Sequence, residues 1–303
     1  MKEAAMSFSG TIRGVIVFLL AAVVTGEHGW SVTCGSSQIC ALNGSTVEIK
    51  CSYTYPEKMG DKPTLVETTF WFLEEENGKY TDLRNVSKYS KRVNYHCKNS
   101  YCIMKISNLT KSDEATYKFR FTTNHETGKY TGLPGVSLSV TDPQVKVVVS
   151  PNISLICDDN CQLPEKYSYI WFKNNHRQKE RTKEFVSLSF NSKDSYYCVI
   201  EKGEESVPSS AVYAPKDPLL SVIPSEEIVE GNSVTLNCSS DANPKANYTL
   251  YRQLGDQNHE IFPDTQAVFS PIQVSDSGSY RCKAENELGM NMSTSIQIDV
   301  KCE

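Results

Sequence analysis

An all-β chain of tandem sandwich domains is predicted by three recurring features of the sequence. The segment Asp276-Ser277-Gly278-Ser279-Tyr280-Arg281-Cys282 has the form Asp-x-Gly-x-Tyr-x-Cys, and Asp194-Ser195-Tyr196-Tyr197-Cys198 keeps its Tyr-x-Cys end. A third copy, Asp113-Glu114-Ala115-Thr116-Tyr117-Lys118-Phe119, carries phenylalanine in the cysteine position. Upstream, Val234-Thr235-Leu236-Asn237-Cys238 and Ile153-Ser154-Leu155-Ile156-Cys157 alternate with period two and end in cysteine, as half-buried strands should. Between these landmarks stand Trp71, in Thr69-Phe70-Trp71-Phe72, and Trp171, in Tyr169-Ile170-Trp171-Phe172. A strand B cysteine, a strand C tryptophan and a strand F Tyr-x-Cys mark the immunoglobulin sandwich. Three such units in series, V-type followed by two C2-type, leave no room for a helical or mixed fold.

The elements follow in chain order. Residues 1–26 read as a signal peptide: Lys2 and Arg13 precede the apolar run from Gly14 to Val24, and small residues Thr25 and Gly26 close it. That run is shorter than the roughly 20 apolar residues a membrane span needs. The V-type domain is expected over 27–141 and the C2-type domains over 142–214 and 215–303, with Asp142-Pro143 and Pro215-Lys216-Asp217-Pro218 as the joins. The long interval from Cys51 to Tyr117 leaves room for the extra strands of a V-type domain, whereas the span from Cys157 to Cys198 suits a short constant-type one. In the third domain Leu250 occupies the strand C tryptophan position. No later segment reads as a transmembrane span. The expected location is therefore the secretory pathway and the extracellular space, as a secreted chain or as the ectodomain of a plasma-membrane receptor.

Composition narrows the function. The chain has 303 residues, 39% hydrophobic and 22% charged, with a formal net charge of -5. This acidic balance lacks the basic footprint of phosphate-backbone binding, so no nucleic-acid partner is expected. The 11 cysteines are spread along the chain, which points to an oxidising compartment and structural disulfides, and Cys157-x-x-x-Cys161 reads as disulfide chemistry in place of zinc. The five histidines are scattered, with no metalloprotease, nucleophile-elbow or phosphate-loop motif, so neither an enzyme nor a metal or other cofactor is expected. Glu74-Glu75-Glu76 reads as a solvated hairpin tip. Seven Asn-x-Ser/Thr sequons, at Asn43, Asn85, Asn108, Asn152, Asn237, Asn247 and Asn291, indicate a glycoprotein.

The first domain breaks the repeat. With Phe119 in the strand F cysteine position, Cys51 cannot bridge the two sheets in the usual way. Cys102 lies two residues before Met104 on the strand E approach, hence on the inward face. Strands B and E are sheet neighbours, so Cys51 is expected to pair with Cys102. Cys157 with Cys198 and Cys238 with Cys282 form the ordinary bridges. The same alternation turns Ala115, Tyr117, Phe119 and Phe121 inward and Thr116, Lys118, Arg120 and Thr122 outward, which places Arg120 on the outer face beside strand G.

In these residues the chain resembles the sialic-acid-binding immunoglobulin-type lectins, or siglecs. The likeness covers all three domains and is most specific in the first: a strand F without cysteine, Tyr117-Lys118-Phe119-Arg120; a same-sheet bridge, Cys51 with Cys102; and an aromatic near the start of strand A, Trp30. The resemblance implies recognition of sialylated glycoproteins or glycolipids, with Arg120 gripping the sugar carboxylate through two parallel charge-assisted hydrogen bonds. It gives Trp30 the N-acetyl methyl group and an aromatic of strand G the glycerol chain, for which Tyr130, in Lys129-Tyr130, is the candidate. It further implies a disulfide between the first two domains, for which Cys40 with Cys161 is proposed and Cys34 competes. Cys34 and Cys97 are otherwise left open as a pair, and Cys302 is the leftover, either an intermolecular donor or the mark of a longer chain. The competing reading is an adhesion or decoy module whose outer sheet meets a protein in cis or trans.

Overall fold

A computed structural model describes residues 29–302 apart from 77, 162, 164–166, 187–189 and 256. The expected signal peptide, residues 1–26, lies outside the described residues. Among them the regular structure is β-strand plus three 3-10 turns, and the buried side chains gather into three clusters, one for each sandwich. Among the described residues no helix is long and apolar enough to cross a membrane.

In the first domain one sheet runs in the order Ser31–Cys34, Val47–Thr54, Tyr101–Ile106, Val93–Lys98, all antiparallel. The opposing sheet joins Lys129–Thr131, Ala115–Thr123, Val136–Thr141 and Gln38–Leu42, and Val66–Phe72 pairs with Ala115–Thr123. Val47–Thr54 alternates buried and exposed at every position, the period-two pattern of a strand with one face on a core. Trp71 and Phe119 face each other across their ladder, with ring centroids 4.7 Å apart. Tyr53 lies 5.6 Å from the Phe119 ring, so aromatic packing fills the place where a cross-sheet disulfide would sit.

Below this core Tyr117 donates its hydroxyl to the Asp113 carbonyl at 2.7 Å, closing the turn into strand F. The Asp113 carboxylate, 0% exposed, accepts two parallel hydrogen bonds from Arg92 at 2.8 Å each and one from the Thr110 backbone N–H at 2.9 Å. Burial pushes its pKa up, but Arg92, the Thr110 N–H and Lys88 together outweigh that and hold it far below the ordinary carboxylate range.

The expected Cys51–Cys102 bond is corrected. Both residues do face each other, but Cys51 also faces Cys34, and Cys102 also faces Cys97, so four cysteines form one row across four strands. The bonds are Cys34–Cys51 and Cys97–Cys102. A central Cys51–Cys102 bond would leave a thiol on each flanking strand; the outer pairings satisfy all four sulfurs. Cys40 is bonded to Cys161, and Cys302 is free and exposed.

The second and third sandwiches carry bridges Cys157–Cys198 and Cys238–Cys282. Trp171 stands opposite Cys198, and Leu250 stands opposite Cys282, the same place in the ladder. The expected join Pro215-Lys216-Asp217-Pro218 is no loop. It lies inside one strand, Val212–Ile223, which pairs with Ser195–Lys202 of the second domain and then with Val234–Asn243 of the third. Register shifts flank Lys216, where the two prolines lack the N–H that a regular ladder uses.

Candidate functional site

Arg120 sits in the middle of the outer sheet face of the first domain. Its strand partners are Phe70 on one side and Thr131 on the other. Direct partners in an antiparallel pair point to the same face, so these three side chains rise together from the sheet. One guanidinium nitrogen of Arg120 donates to the Thr131 hydroxyl at 2.6 Å. Its central carbon lies 3.8 Å from the centroid of the Tyr80 ring, a cation–π stack. Tyr80 is fixed in turn: it meets Phe72 edge-on at 5.0 Å and donates its hydroxyl to Glu75 at 2.8 Å. That hydrogen bond, with burial adding to it, raises the phenol pKa, and the positive charge of Arg120 works against the shift.

The site is thus an arginine positioned without neutralisation. Among the described residues no acid forms an ion pair with Arg120, and Thr131 takes one of the five N–H donors that a guanidinium carries. Beside it a shallow cleft of about 540 Å³ is lined by Thr68, Phe70, Lys79, Tyr80, Asp82 and Arg84, among others. Thr68 and Thr122 share a hydrogen bond of 2.6 Å along the same face, and Lys129, the partner of Thr122, also points outward there.

Trp30 and Tyr130 do not join this face, which corrects their expected placement. Tyr130 is the ladder partner of Phe121, and Phe121 is fully buried, so Tyr130 turns to the inner side. Trp30 stacks on the same Phe121 ring at 5.7 Å and lies 6.4 Å from Tyr55. Both residues are half-buried against the core. The cause is parity: one step along strand G, Lys129–Thr131, exchanges the two faces, and the step is set by the hairpin turn. Thr123 donates both its backbone N–H, at 2.8 Å, and its hydroxyl, at 2.9 Å, to the Gly128 carbonyl. A Cβ at Gly128 would fall 1.9 Å from that hydroxyl oxygen. This tight closure pairs Thr122 with Lys129 and so gives Arg120 the Thr131 side chain as its neighbour. Sequence reasoning missed Thr131, Phe70 and Tyr80. The signal for Tyr80 is the hairpin Glu75-Glu76 to Lys79-Tyr80, which carries an aromatic at the end of its acidic tip.

Comparisons with known proteins agree with the fold and the likeness. Residues 217–300 match the family model described as immunoglobulin domain. The chain is 29% identical over 172 residues to mouse B-cell receptor CD22, covering 54% of this chain and 20% of that protein. It is 22% identical over 305 residues to human sialic acid-binding Ig-like lectin 11, covering 83% of this chain and 43% of that one. The chain is similar to siglecs and is built of immunoglobulin-like domains. The siglec-like chain also aligns with rat vascular cell adhesion protein 1, at 40% identity over 81 residues, 26% of this chain and 11% of that protein. It spans less than half the length of each of these relatives. By their names these relatives are a B-cell receptor, a sialic acid-binding lectin and a cell adhesion protein.

Proposed function

We propose that the siglec-like chain recognises sialylated glycans, on glycoproteins or glycolipids, through Arg120 in the first domain. The observation that carries this reading is an outward guanidinium held by Thr131 and Tyr80 with no carboxylate on it among the described residues. A structural arginine on a strand is normally neutralised or left to water on a free stem. Arg120 is instead clamped with donors to spare, which suits a carboxylate brought by a ligand. Phe70 and the cleft beside it offer apolar surface to the rest of the sugar, in place of the face first expected from Trp30 and Tyr130. Lys129 adds positive charge along the same face. A shallow site of this kind binds single sugars weakly, so avidity comes from clustered chains.

The test uses the secreted chain, displayed multivalently, on sialylated cells and on the same cells after sialidase. Binding is expected to fall at least about tenfold after sialidase and equally with Arg120→Ala, while Arg120→Lys loses most of it because a point charge cannot make the bidentate contact. If folded Arg120→Ala protein binds as the parent does, the lectin reading is wrong. Binding that survives sialidase and depends on Phe70 favours a protein partner on the same face.

A further inference from the structure

On one sheet face of the third domain three exposed aliphatic side chains surround a sequon. Its strands Val212–Ile223, Val234–Asn243 and Gln266–Phe269 lie side by side, with Val234–Asn243 in the middle. Asn237 is on that middle strand, opposite Ser221 on one neighbour and Gln266 on the other. Residues that share its face come two positions along each strand. They are Leu219 and Ile223, paired with Ser239 and Thr235, and Val268, paired with Thr235. All three are well exposed, at 60%, 58% and 54%, and each is a diagonal neighbour of Asn237, about 7–8 Å away by strand geometry.

We propose that an N-linked glycan on Asn237 covers this face and keeps it from self-associating. Asn237-Cys238-Ser239 is an acceptor sequence, and the asparagine side chain is half-exposed. Its inward neighbours, Leu236 and Cys238, are buried, so alternation directs Asn237 to the outer face. The glycan core would therefore emerge between the three aliphatic side chains. Thr235, Ser239, Ser221 and Gln266 share the face with them, and three exposed aliphatic side chains grouped on one open sheet face raise its tendency to associate. A bulky, hydrated modification rooted at the middle of the patch removes that tendency without changing the sheet. The polar partners Ser221 and Gln266 on either side leave room at the root, and the apolar residues stand one diagonal step out, under the first sugars. This inference is independent of Arg120, which lies in another domain.

The experiment uses the full secreted chain. Glycopeptide mass spectrometry should find Asn237 occupied. Asn237→Gln and Ser239→Ala both remove the acceptor, one while keeping the asparagine, and both should strengthen self-association at least tenfold in sedimentation. Adding Leu219→Ser and Val268→Ser to either variant should return it to the parent's monomeric behaviour. Enzymatic deglycosylation of the folded parent should reproduce the variants' self-association, which separates shielding from any role of the glycan in folding. An unoccupied Asn237, monomeric variants that match the parent, or a dimer of the glycosylated parent through this face would each overturn the proposal.

Discussion

At the scale of single residues, Asp113 shows how one buried charge holds a strand in register. Its carboxylate receives Arg92 in a two-point contact, the Thr110 N–H and Lys88, while its carbonyl receives Tyr117. One residue therefore ties the turn before strand F both to Arg92, just before Val93–Lys98, and to the tyrosine that enters the core. Because its folded pKa is depressed, the carboxylate stabilises the domain above the ordinary aspartate value of about 3.9. That contribution fades as pH falls below this value toward the folded pKa. The first domain should lose stability steeply below about pH 4, and Asp113→Asn should flatten that dependence, as read by thermal melts across pH. Arg92→Ala leaves the buried acid with Lys88 and the Thr110 N–H, and is expected to cost about 3 kcal/mol in denaturant unfolding at neutral pH, the low end for breaking a buried pair.

At the scale of elements, alternation along strand F was legible in the sequence. Tyr117, Phe119 and Phe121 are buried and Arg120 stands on the other side, because a two-residue period follows from the backbone alone. Relations between strands were less legible. The resemblance offers Tyr130 as the strand G aromatic of the site, and the Gly128 turn sets it on the inner side instead. The cysteine row has the same origin. Cys51 and Cys102 do face each other on neighbouring strands, but the flanking strands bring Cys34 and Cys97 into the same row. Which bonds close then depends on the strands outside the pair, information that no single strand contains. The row predicts its own rearrangement: with Cys34→Ser and Cys97→Ser together, Cys51 and Cys102 are left face to face and should bond. Peptide mapping without reduction should find that bridge. Free thiols at both positions in a folded double variant would show that the sheet does not bring their sulfurs together.

At the scale of the whole molecule, the first and third domains each lend a residue to the core of the second. Leu42 of the first domain and Leu288 of the third both lie in the core cluster of the second. The first join adds the Cys40–Cys161 bond, the Asn43 amide donating to Asp142 at 2.8 Å and the Thr141 hydroxyl donating to the Asp159 carbonyl at 2.9 Å. The second adds the continuous strand Val212–Ile223 and the Asn286 amide, which donates to the carbonyls of Tyr213 and Pro244, each at 2.9 Å. Such joins couple unfolding across domains that would otherwise melt independently. The Cys40–Cys161 bond closes a loop of 121 residues, and removing a bridge of that kind costs about 2–5 kcal/mol. The double variant Cys40→Ser, Cys161→Ser should therefore split the parent's calorimetric unfolding into two transitions, the first domain melting earlier. Its isolated sandwich keeps both cross-strand disulfides and the Asp113 network, so the variant should still fold and still present Arg120. Loss of glycan binding in that variant, with the first domain intact by its own melting transition, would mean that the second domain takes part in recognition. Retained binding places recognition within the first sandwich and leaves the tether to set how rigidly that sandwich is held out from the rest of the chain.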